Sequence, residues 1–380
     1  MVRLKDIFTT DADGYPKYNW NYIETIPEFA ALKNAKQNPK WHGEGNAWDH
    51  TIAVCKRAVE CARNNLLCND ELFTFFAACL FHDIGKGISS FEGKDGRWHS
   101  YGHEETGEKI TRRLLWDEPN REDICALVRW HMEPLSVFTS KSPIDKIVYL
   151  SKRVPSLRLL YCLKWCDLNG SVFEDKDNWD NELRKLNLFK EYAITMACYI
   201  GKNTLDTRGR RLDEYLSSTR NDRKNIIVYL MVGLPGAGKD TYINDILSVR
   251  VYKDEFVVLS RDDIRAELGL CKPGDKIVAS KEDEERVSNV FNERLLWAAK
   301  NGKKIIINGI NLKRKYRDEF KKLLTNYYVK WIYVYVEADK LSTNIERRKG
   351  QISEDIFIDM ISKFDWPDYD EYDNILTVLT

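Results

Sequence analysis

Apolar residues recur at intervals of three and four positions from His50 to about residue 200. This period is typical of amphipathic helices. It is clear in the stretches AWDHTIAVCKRAVECARNNLL, ELFTFFAACLFHDIGKG, GHEETGEKITRRLLW, REDICALVRWHM, PSLRLLYCLKWCDL and ELRKLNLFKEYAITMACYI. The pattern therefore predicts that the N-terminal part of the chain is an all-α domain.

The pattern changes beyond residue 225, where short apolar runs rich in β-branched residues alternate with helical segments. The runs are IIVYLMVG, EFVVLS, KKIIINGI, VKWIYVYVE and NILTVL. Continuously apolar strands with helical connections are typical of a parallel sheet that is covered on both faces. The sequence predicts a second, α/β domain with a five-stranded parallel sheet, one strand for each run. We place the two domains at residues 1–222 and 223–380, with the boundary in the polar stretch SSTRNDRKN.

The composition supports two compact cores, since 43% of the 380 residues are hydrophobic and 31% are charged. Fifty-nine basic residues balance fifty-nine acidic ones, so a nucleic-acid site would depend on local basic runs such as TRGRR and LKRKYR. Nine cysteines without a C-x-x-C pair, among them Cys162 and Cys166, are expected to be buried and reduced.

We expect a cytoplasmic protein that does not associate with a membrane. The N-terminal stretch MVRLKDIFTTDADGYPKYNW lacks the apolar segment of a secretion signal. The apolar runs are all shorter than the roughly 20 residues that span a bilayer.

Histidine is confined to the first 131 residues of the chain. His82 and Asp83 end a strongly apolar helical run, and alone they would fit a buried core histidine and a helix cap. The neighbouring predicted helices add nitrogen and oxygen ligands that could together hold one or two divalent cations. The candidate metal ligands are His50, His82, Asp83, His103, His131 and Asp167.

These residues, with the motifs HDIGKG, GHEETG and VRWHM, resemble the HD phosphohydrolase superfamily over about residues 40 to 170. The stretch HGEGNAWDHT is also similar to the entry of the HD domains that are appended to tRNA nucleotidyltransferases. The resemblance implies that the ligands are His50, His82, Asp83 and Asp167, and that His103 and His131 serve a second metal.

The activity implied by this resemblance is hydrolysis of a phosphate ester by metal-activated water, with Asp83 as a catalytic residue as well as a ligand. An imidazole-rich site favours one or two divalent transition metals over Mg²⁺. Lys86 is either a phosphate contact for the substrate or a solvated side chain, and His42 and His99 have no assigned role. An HD domain that has lost its activity is the alternative.

The stretch GLPGAGKDT, residues 233 to 241, has the frame of a phosphate-binding loop, G-x-x-x-x-G-K-[ST]. It follows a predicted strand and precedes a predicted helix, which is the context that the motif requires. Lys239 would reach the β- and γ-phosphates of a nucleoside triphosphate. The predicted nucleotide-binding residues are Gly233, Gly236, Ala237, Gly238, Lys239, Asp240 and Thr241.

Two further motifs are expected near this loop. SRDDIR, residues 260 to 265, follows the second strand, so its carboxylates should lie where an acceptor binds. The alternative is that Ser260 or Asp262 merely caps a helix. The basic turn NIERRKG, residues 344 to 350, is either a lid whose arginine reaches the transferred phosphoryl group or a solvated helix end.

Together these motifs resemble the polynucleotide 5′-kinase family over residues 226 to about 366. The resemblance implies that Mg²⁺ and ATP or another nucleoside triphosphate bind here, and that Asp262 is the general base for a 5′-OH. It also implies catalytic roles for Lys239 and for Arg347 or Arg348, of which we favour Arg347 as catalytic and Arg348 as a substrate contact. The remaining candidate substrate contacts are Arg265 and Asn311.

The sequence departs from that family at two positions. Asp240 replaces the loop Ser or Thr that helps to hold Mg²⁺, and Gly309 stands where relatives carry an acidic residue in Asp-x-Asn-Leu. Our hypothesis is that Asp240 supplies the negative charge lost at Gly309 and faces the cation, directly or through a bound water. Thr241 would serve instead if the loop shifts register.

An HD phosphohydrolase followed by a polynucleotide kinase resembles the bacterial two-domain enzymes that heal nucleic-acid ends. The resemblance implies phosphorylation of 5′-OH ends of RNA or DNA, removal of 3′-phosphate, 2′-phosphate or 2′,3′-cyclic phosphate, and cooperation with a separate ligase. Two alternatives remain: a nucleoside or nucleotide kinase fused to a nucleotide phosphohydrolase, and a non-catalytic nucleotide sensor.

Overall fold

The computed structural model describes residues 2–196, 198–200, 226–248, 255–270, 280–337, 341–348, 350–367 and 371–379. The chain divides into two compact units, Met1–Leu205 and Asp206–Thr380. The predicted boundary at residue 222 and the basic run TRGRR lie outside the described residues. The search of the described residues for a helix long and apolar enough to cross a membrane found none.

The N-terminal unit is built mainly of helices, as predicted. The short elements are α1 (Leu4–Ile7), β1 (Phe8–Thr10), β2 (Pro16–Tyr18), α2 (Trp20–Ile23), α3 (Pro27–Ala31), α6 (Lys86–Ser89), β3 (Phe91–Glu92), β4 (Trp98–His99) and α9 (Glu133–Ser136). The long helices are α4 (Ala47–Asn64), α5 (Asn69–Phe81), α7 (His103–Leu114), α8 (Arg121–Trp130), α10 (Pro143–Arg153), α11 (Leu157–Gly170) and α12 (Lys176–Thr195).

Helix α5 is the centre of this unit. Every residue from Phe75 to Phe81 is buried, because the segment is apolar on all sides and packs against α4, α8 and α11. The helix ends where the apolar run ends, and His82 is its C-cap residue. The side chains of His82 and Asp83 are therefore held inside the bundle rather than at its surface.

Two antiparallel hairpins interrupt the helical pattern, and the sequence period did not predict them. β1 pairs with β2, and β3 pairs with β4 through Phe91 opposite His99 and Glu92 opposite Trp98. Strands of two or three residues are too short to produce a recognisable alternation of apolar and polar positions. The second hairpin lies between α6 and α7, beside residues of the predicted metal site.

The C-terminal unit contains the five predicted strands in one parallel sheet, with the order β6-β7-β5-β8-β9. The strands are β5 (Ile226–Val232), β6 (Phe256–Ser260), β7 (Lys304–Asn308), β8 (Val329–Glu337) and β9 (Asn374–Leu379). The helices are α13 (Lys239–Ser248), α14 (Arg261–Glu267), α15 (Lys281–Lys300), α16 (Arg314–Leu323), α17 (Leu341–Arg347) and α18 (Glu354–Ser362). Central strand β5 leads directly into the phosphate-binding loop.

One residue of the run LKRKYR is not available to a nucleic acid. Arg317 is fully buried, and its guanidinium forms two hydrogen bonds with the Glu371 carboxylate, at 2.7 and 3.0 Å. It also donates to the carbonyls of Asn311 and Leu312, which fixes the loop after β7. The interpretation of this run as a set of phosphate contacts is therefore wrong for Arg317.

Candidate active sites

The six predicted metal ligands come together in the helical unit, each from a different position in the bundle. His50 lies in α4, His82 and Asp83 follow α5, His103 begins α7, His131 is the C-cap residue of α8, and Asp167 lies in α11. All six side chains are buried. The convergence predicted from the sequence is thus present in the structure.

Asp83 lies between two pairs of histidines. Its Oδ1 is 3.3 Å from His103 Nε2 and 3.7 Å from His131 Nε2. Its Oδ2 is 3.3 Å from His82 Nε2 and 3.6 Å from His50 Nε2. Two clusters of three potential ligand atoms share this carboxylate, His50–His82–Asp83 and Asp83–His103–His131.

The hydrogen bonds of the imidazoles fix which nitrogen faces the centre. Nδ1 of His82, His103 and His131 donates to the carbonyl oxygen of Cys79, Ser100 and Val128, at 2.9, 2.8 and 2.7 Å. A neutral imidazole that donates through Nδ1 keeps a lone pair on Nε2. Three buried lone pairs therefore point into the site, the arrangement that metal-binding histidines require.

The spacing of these nitrogens fits a cation. His103 Nε2 and His131 Nε2 are 3.3 Å apart, and so are His50 Nε2 and His82 Nε2. Two nitrogens bound to one cation at about 2.1 Å would be separated by roughly 3.0–3.4 Å for octahedral to tetrahedral angles. The residues present therefore fit one or two divalent metals.

Charges in the site are balanced by two buried lysines. Burial alone would raise the pKa of Asp83, but the Lys86 ammonium, 2.6 Å away, and the nearby imidazoles hold it well below its usual range. The same competition lowers the pKa of Asp167, whose Oδ2 accepts from Lys164 Nζ at 2.6 Å. Both carboxylates are consequently ionised and able to bind a metal at neutral pH.

Glu44 is a residue of this site that the sequence interpretation missed. Its Oε1 lies 2.7 Å from His50 Nδ1 and 2.9 Å from His42 Nδ1, and its Oε2 accepts from the backbone N–H of Val172 at 2.8 Å. Burial lowers the pKa of His50, but the Asp167 and Glu44 carboxylates beside its two ring nitrogens raise it to about 9 overall. Glu44 thus orients His50, as carboxylates behind metal-binding histidines do.

Lys86 and Lys164 lie within the candidate metal site, next to its two carboxylates. Lys86 Nζ also donates to Gln37 Oε1 at 2.6 Å, so the ammonium is held between Gln37 and Asp83. Lys164 was not singled out in the sequence, although it lies three residues before Asp167, within one helical turn. Lys86 is buried, so the interpretation as a solvated side chain does not apply.

The phosphate-binding loop of the second unit connects β5 to α13. Gly236 and Gly238 have φ of +76° and +88°, a region that side-chain-bearing residues rarely adopt. A Cβ on Gly233 would lie 2.4 Å from the carbonyl oxygen of Val336, so only glycine fits there. Lys239 Nζ donates to the carbonyls of Gly233 and Leu234, at 2.9 and 2.8 Å, and its ammonium lies against the loop.

Asp240 lies at the carboxyl end of β7. Its Oδ1 accepts a hydrogen bond of 2.7 Å from Asn308 Nδ2, and Asn308 is the last residue of that strand. Asp240 is exposed, as is the neighbouring Thr241. The loop carboxylate is therefore next to Gly309, the position at which the sequence analysis noted a missing acidic residue.

The end of β6 and the start of α14 supply a helix cap and an exposed carboxylate that pairs with Arg265. Ser260 Oγ accepts from the backbone N–H of Asp263 at 3.2 Å and caps α14, so Asp262 is not the cap residue. The Asp262 side chain is 78% exposed, and its Oδ1 accepts from Arg265 at 2.6 Å. Arg265 is buried and also pairs with both oxygens of Glu284, at 2.7 Å each.

Helix α17, with Arg347 at its end and Arg348 directly after it, contacts the phosphate-binding loop. Asn344 Nδ2 donates to the carbonyl of Pro235 at 3.1 Å, and Arg347 donates to the carbonyl of Gly236 at 3.0 Å. Arg348 donates to Gln351 Oε1 at 3.1 Å. Both arginines lie beside the loop, which is the position that a lid requires.

Asn311 has a structural contact in addition to its predicted substrate role. Its φ is +47°, and its side-chain amide donates to the carbonyl of Met231 in β5 at 2.8 Å. A Cβ on Gly309 would lie 3.1 Å from Asn311 Nδ2. Any side chain placed at Gly309 must therefore displace the Asn311 amide by a few tenths of an ångström.

Comparison with known families agrees with both sites. The HD domain family matches residues 47–167, and a AAA domain family matches residues 228–367. The chain therefore carries an HD domain followed by a P-loop, kinase-like domain with a five-stranded parallel sheet. The domains define a chain with a phosphohydrolase-type site and a kinase-type site.

Relatives match parts of the chain. The Multifunctional CCA protein of Haemophilus influenzae is 37% identical over 103 residues, which cover 24% of each protein. The chain thus spans about a quarter of the length of this relative. A structure of the Pnkp1/Rnl/Hen1 RNA repair complex matches 38% of this chain and 45% of its own, with 19% identity and a TM-score of 0.32. A gluconokinase from Sinorhizobium meliloti matches 41% of this chain and 83% of its own, with 18% identity and a TM-score of 0.27.

Proposed function

We propose that the protein heals nucleic-acid ends, by phosphorylating 5′-OH ends and by removing 3′-phosphate, 2′-phosphate or 2′,3′-cyclic phosphate. The observation that carries the proposal is the presence of two sites for phosphate chemistry in one chain, one with six convergent metal ligands and one with a phosphate-binding loop. The products, a 5′-phosphate and a 3′-OH, are the ends that a separate ligase joins.

In the kinase half, Asp262 is the proposed general base. Its exposed carboxylate accepts the proton of the 5′-OH as the oxygen attacks the γ-phosphorus of the donor, and the bond to the β–γ bridging oxygen breaks to release the nucleoside diphosphate. Arg265 holds Asp262 in place and contributes positive charge on the acceptor side. Lys239 exchanges the loop carbonyls for the β- and γ-phosphates, and Arg347 or Arg348 contacts the transferred phosphoryl group. Mg²⁺ bound with the nucleotide would neutralise phosphate charge.

In the HD half, the proposed ligands are the four histidines with Asp83 and Asp167. Bound divalent metals would supply Lewis acidity and lower the pKa of the attacking water. Glu44 keeps His50 oriented, and Lys164 keeps Asp167 ionised. Lys86 offers the remaining hydrogen-bonding capacity of its ammonium to a phosphate oxygen.

Transfer of labelled phosphate from ATP to a single-stranded 5′-OH oligonucleotide tests the kinase half. We expect Asp262→Asn to reduce kcat by about 10²–10⁴-fold, the usual contribution of a general base. The matched control is Asp263→Asn, which removes the same charge from the adjacent carboxylate and should retain most of the activity. Equal activity of Asp262→Asn and the wild type would contradict the assignment.

The alternative is that the kinase phosphorylates a small molecule instead of a nucleic-acid end. The dependence of activity on ionic strength distinguishes these two kinds of acceptor. Binding of an oligonucleotide weakens steeply with salt because counterions are released from its phosphates, whereas a free nucleoside carries none. Phosphorylation of a nucleoside but not of RNA or DNA would support a nucleoside or nucleotide kinase and would void the end-healing proposal.

The hydrogen bond between Asn308 and Asp240 supports a role for Asp240 in binding the nucleotide-associated cation. Asn308 occupies one carboxylate oxygen, and the other remains available to Mg²⁺ or to one of its waters. We expect Asp240→Ala to weaken Mg²⁺-dependent nucleotide binding and turnover by about 10–100-fold, and Asp240→Ser with Gly309→Asp to restore much of both. Nucleotide affinity measured with and without Mg²⁺ checks this. Full Mg²⁺ dependence in Asp240→Ala would exclude the hypothesis.

A further inference from the structure

The β3–β4 hairpin carries a group of exposed aromatic rings. His99 and Tyr101 are stacked, with ring centroids 5.1 Å apart and an interplanar angle of 17°. Phe91 lies 5.8 Å from His99 and 5.9 Å from Tyr101. Tyr101 is 73% exposed and Phe91 is 46% exposed. We call Phe91, His99 and Tyr101 the aromatic stack.

The geometry of the hairpin explains why these rings share one face. Phe91 and His99 are directly opposite in the antiparallel ladder, so their side chains point to the same side. Tyr101 lies two residues beyond the end of β4, and its ring stacks on that of His99. The turn is closed by Gly96, with φ of +71°, and by the Asp95 side chain, which accepts from the backbone N–H of Arg97. The rings are thus presented by a short, defined element.

The aromatic stack is joined to the metal site through Ser100. The carbonyl of Ser100 accepts from Nδ1 of the candidate ligand His103, and its hydroxyl is 2.7 Å from Ser90 Oγ. Tyr101 precedes His103 by two residues, so their Cα atoms are at most about 7 Å apart.

The chemistry of the stack favours a nucleobase as its occupant. The hairpin is balanced in charge, with Lys94 and Arg97 against Glu92 and Asp95, so it offers ring faces rather than a strong field. Exposed aromatic rings bind single-stranded nucleic acids by stacking on successive bases, whichever the base. The rings lie on the segment that leads into the candidate ligand His103, so they are the aromatic side chains that we assign to the last base of a strand whose terminal phosphate lies at the metals.

We propose that Tyr101, backed by His99 and Phe91, is a stacking subsite for the terminal nucleobase of the strand whose end the HD domain hydrolyses. The inference rests on the proposed hydrolysis of nucleic-acid ends and adds the part of the substrate that the protein recognises. It predicts that the enzyme distinguishes a nucleotide from its base-free analogue.

The test compares two oligonucleotides with a 3′-phosphate, one complete and one lacking the terminal base. The kcat/KM of the wild-type protein should be about 5- to 150-fold higher for the complete strand. This factor corresponds to the binding free energy of one stacked base. Tyr101→Ala should bring this ratio close to one, and Tyr101→Phe should retain it. The matched control is Tyr192→Ala, which removes another partly exposed tyrosine of the same unit and should leave the ratio intact.

The outcomes distinguish a failure of the stacking subsite from a failure of the proposed function. An unchanged ratio in Tyr101→Ala, or equal rates on both strands for the wild type, overturns the stacking subsite. A wild-type protein that hydrolyses p-nitrophenyl phosphate but neither oligonucleotide overturns the proposed function instead. A loss in Tyr101→Ala that is equal for both strands indicates displacement of His103 and also counts against the subsite.

Discussion

Replacing Lys239 with alanine should abolish phosphoryl transfer while leaving the HD activity intact. The Lys239 ammonium lies against the carbonyls of Gly233 and Leu234, inside the loop that surrounds the donor phosphates. Chemistry at a transferring phosphoryl group depends almost entirely on positioning and on neutralising charge. Loss of one such group costs about 10²–10³-fold in kcat for a neutral donor, and a cation should cost more.

Labelled transfer from ATP measures this effect, and nucleotide binding measured separately shows whether affinity or turnover is lost. Lys300→Ala is the matched control, because it removes one lysine from the exposed end of α15. Unimpaired phosphoryl transfer in Lys239→Ala would show that Lys239 of the phosphate-binding loop takes no part in the reaction. HD-type phosphatase activity in the same preparation reports that the protein is folded.

The ionisation of Lys239 makes the same prediction testable by pH. Burial lowers its pKa to about 8, and the nearby Asp240 only partly offsets that effect. The ammonium is charged below this pH and loses its proton above it, so nucleotide affinity should fall as the pH rises through about 8. Lys239→Arg stays charged throughout and should lack this decrease.

The sequence predicts elements and ligands where the signal is local. Each of the five apolar runs became a strand, and the helical period placed His82 at the end of a buried helix. Candidate ligands such as His103 and His131 could be found because they begin or end helices that the pattern defines. The order of the strands is not local, and it was not predicted.

Tertiary contacts account for what the sequence did not indicate. Glu44 reaches His50 across a loop, and no spacing rule connects them. Arg317 lies in a basic run that suggests a surface, but Glu371, far along the chain, accepts its charge in the core. A charge run predicts exposure only until a partner from elsewhere buries it.

Asp83→Asn should eliminate hydrolysis by the HD domain and most of its metal binding, with the kinase activity retained. This carboxylate is the one group shared by the two ligand clusters, and its two oxygens face different pairs of histidines. An amide has one weak oxygen ligand and no charge, so neither cluster would be complete. The loss should exceed the roughly 10–100-fold that removing an outer-shell partner of a metal site costs.

Metal content after dialysis and phosphate release from a 3′-phosphate oligonucleotide measure the two effects. Asp70→Asn is the matched control, since it makes the same change at the exposed N-terminal end of α5. Asp83→Asn also removes the carboxylate that balances the charge of buried Lys86, and breaking a buried ion pair in this way destabilises a domain by about 3–5 kcal/mol. His131→Gln removes a ligand without that cost and should lose metal too. Full metal content and full hydrolysis in both Asp83→Asn and His131→Gln would show that catalysis does not depend on this centre.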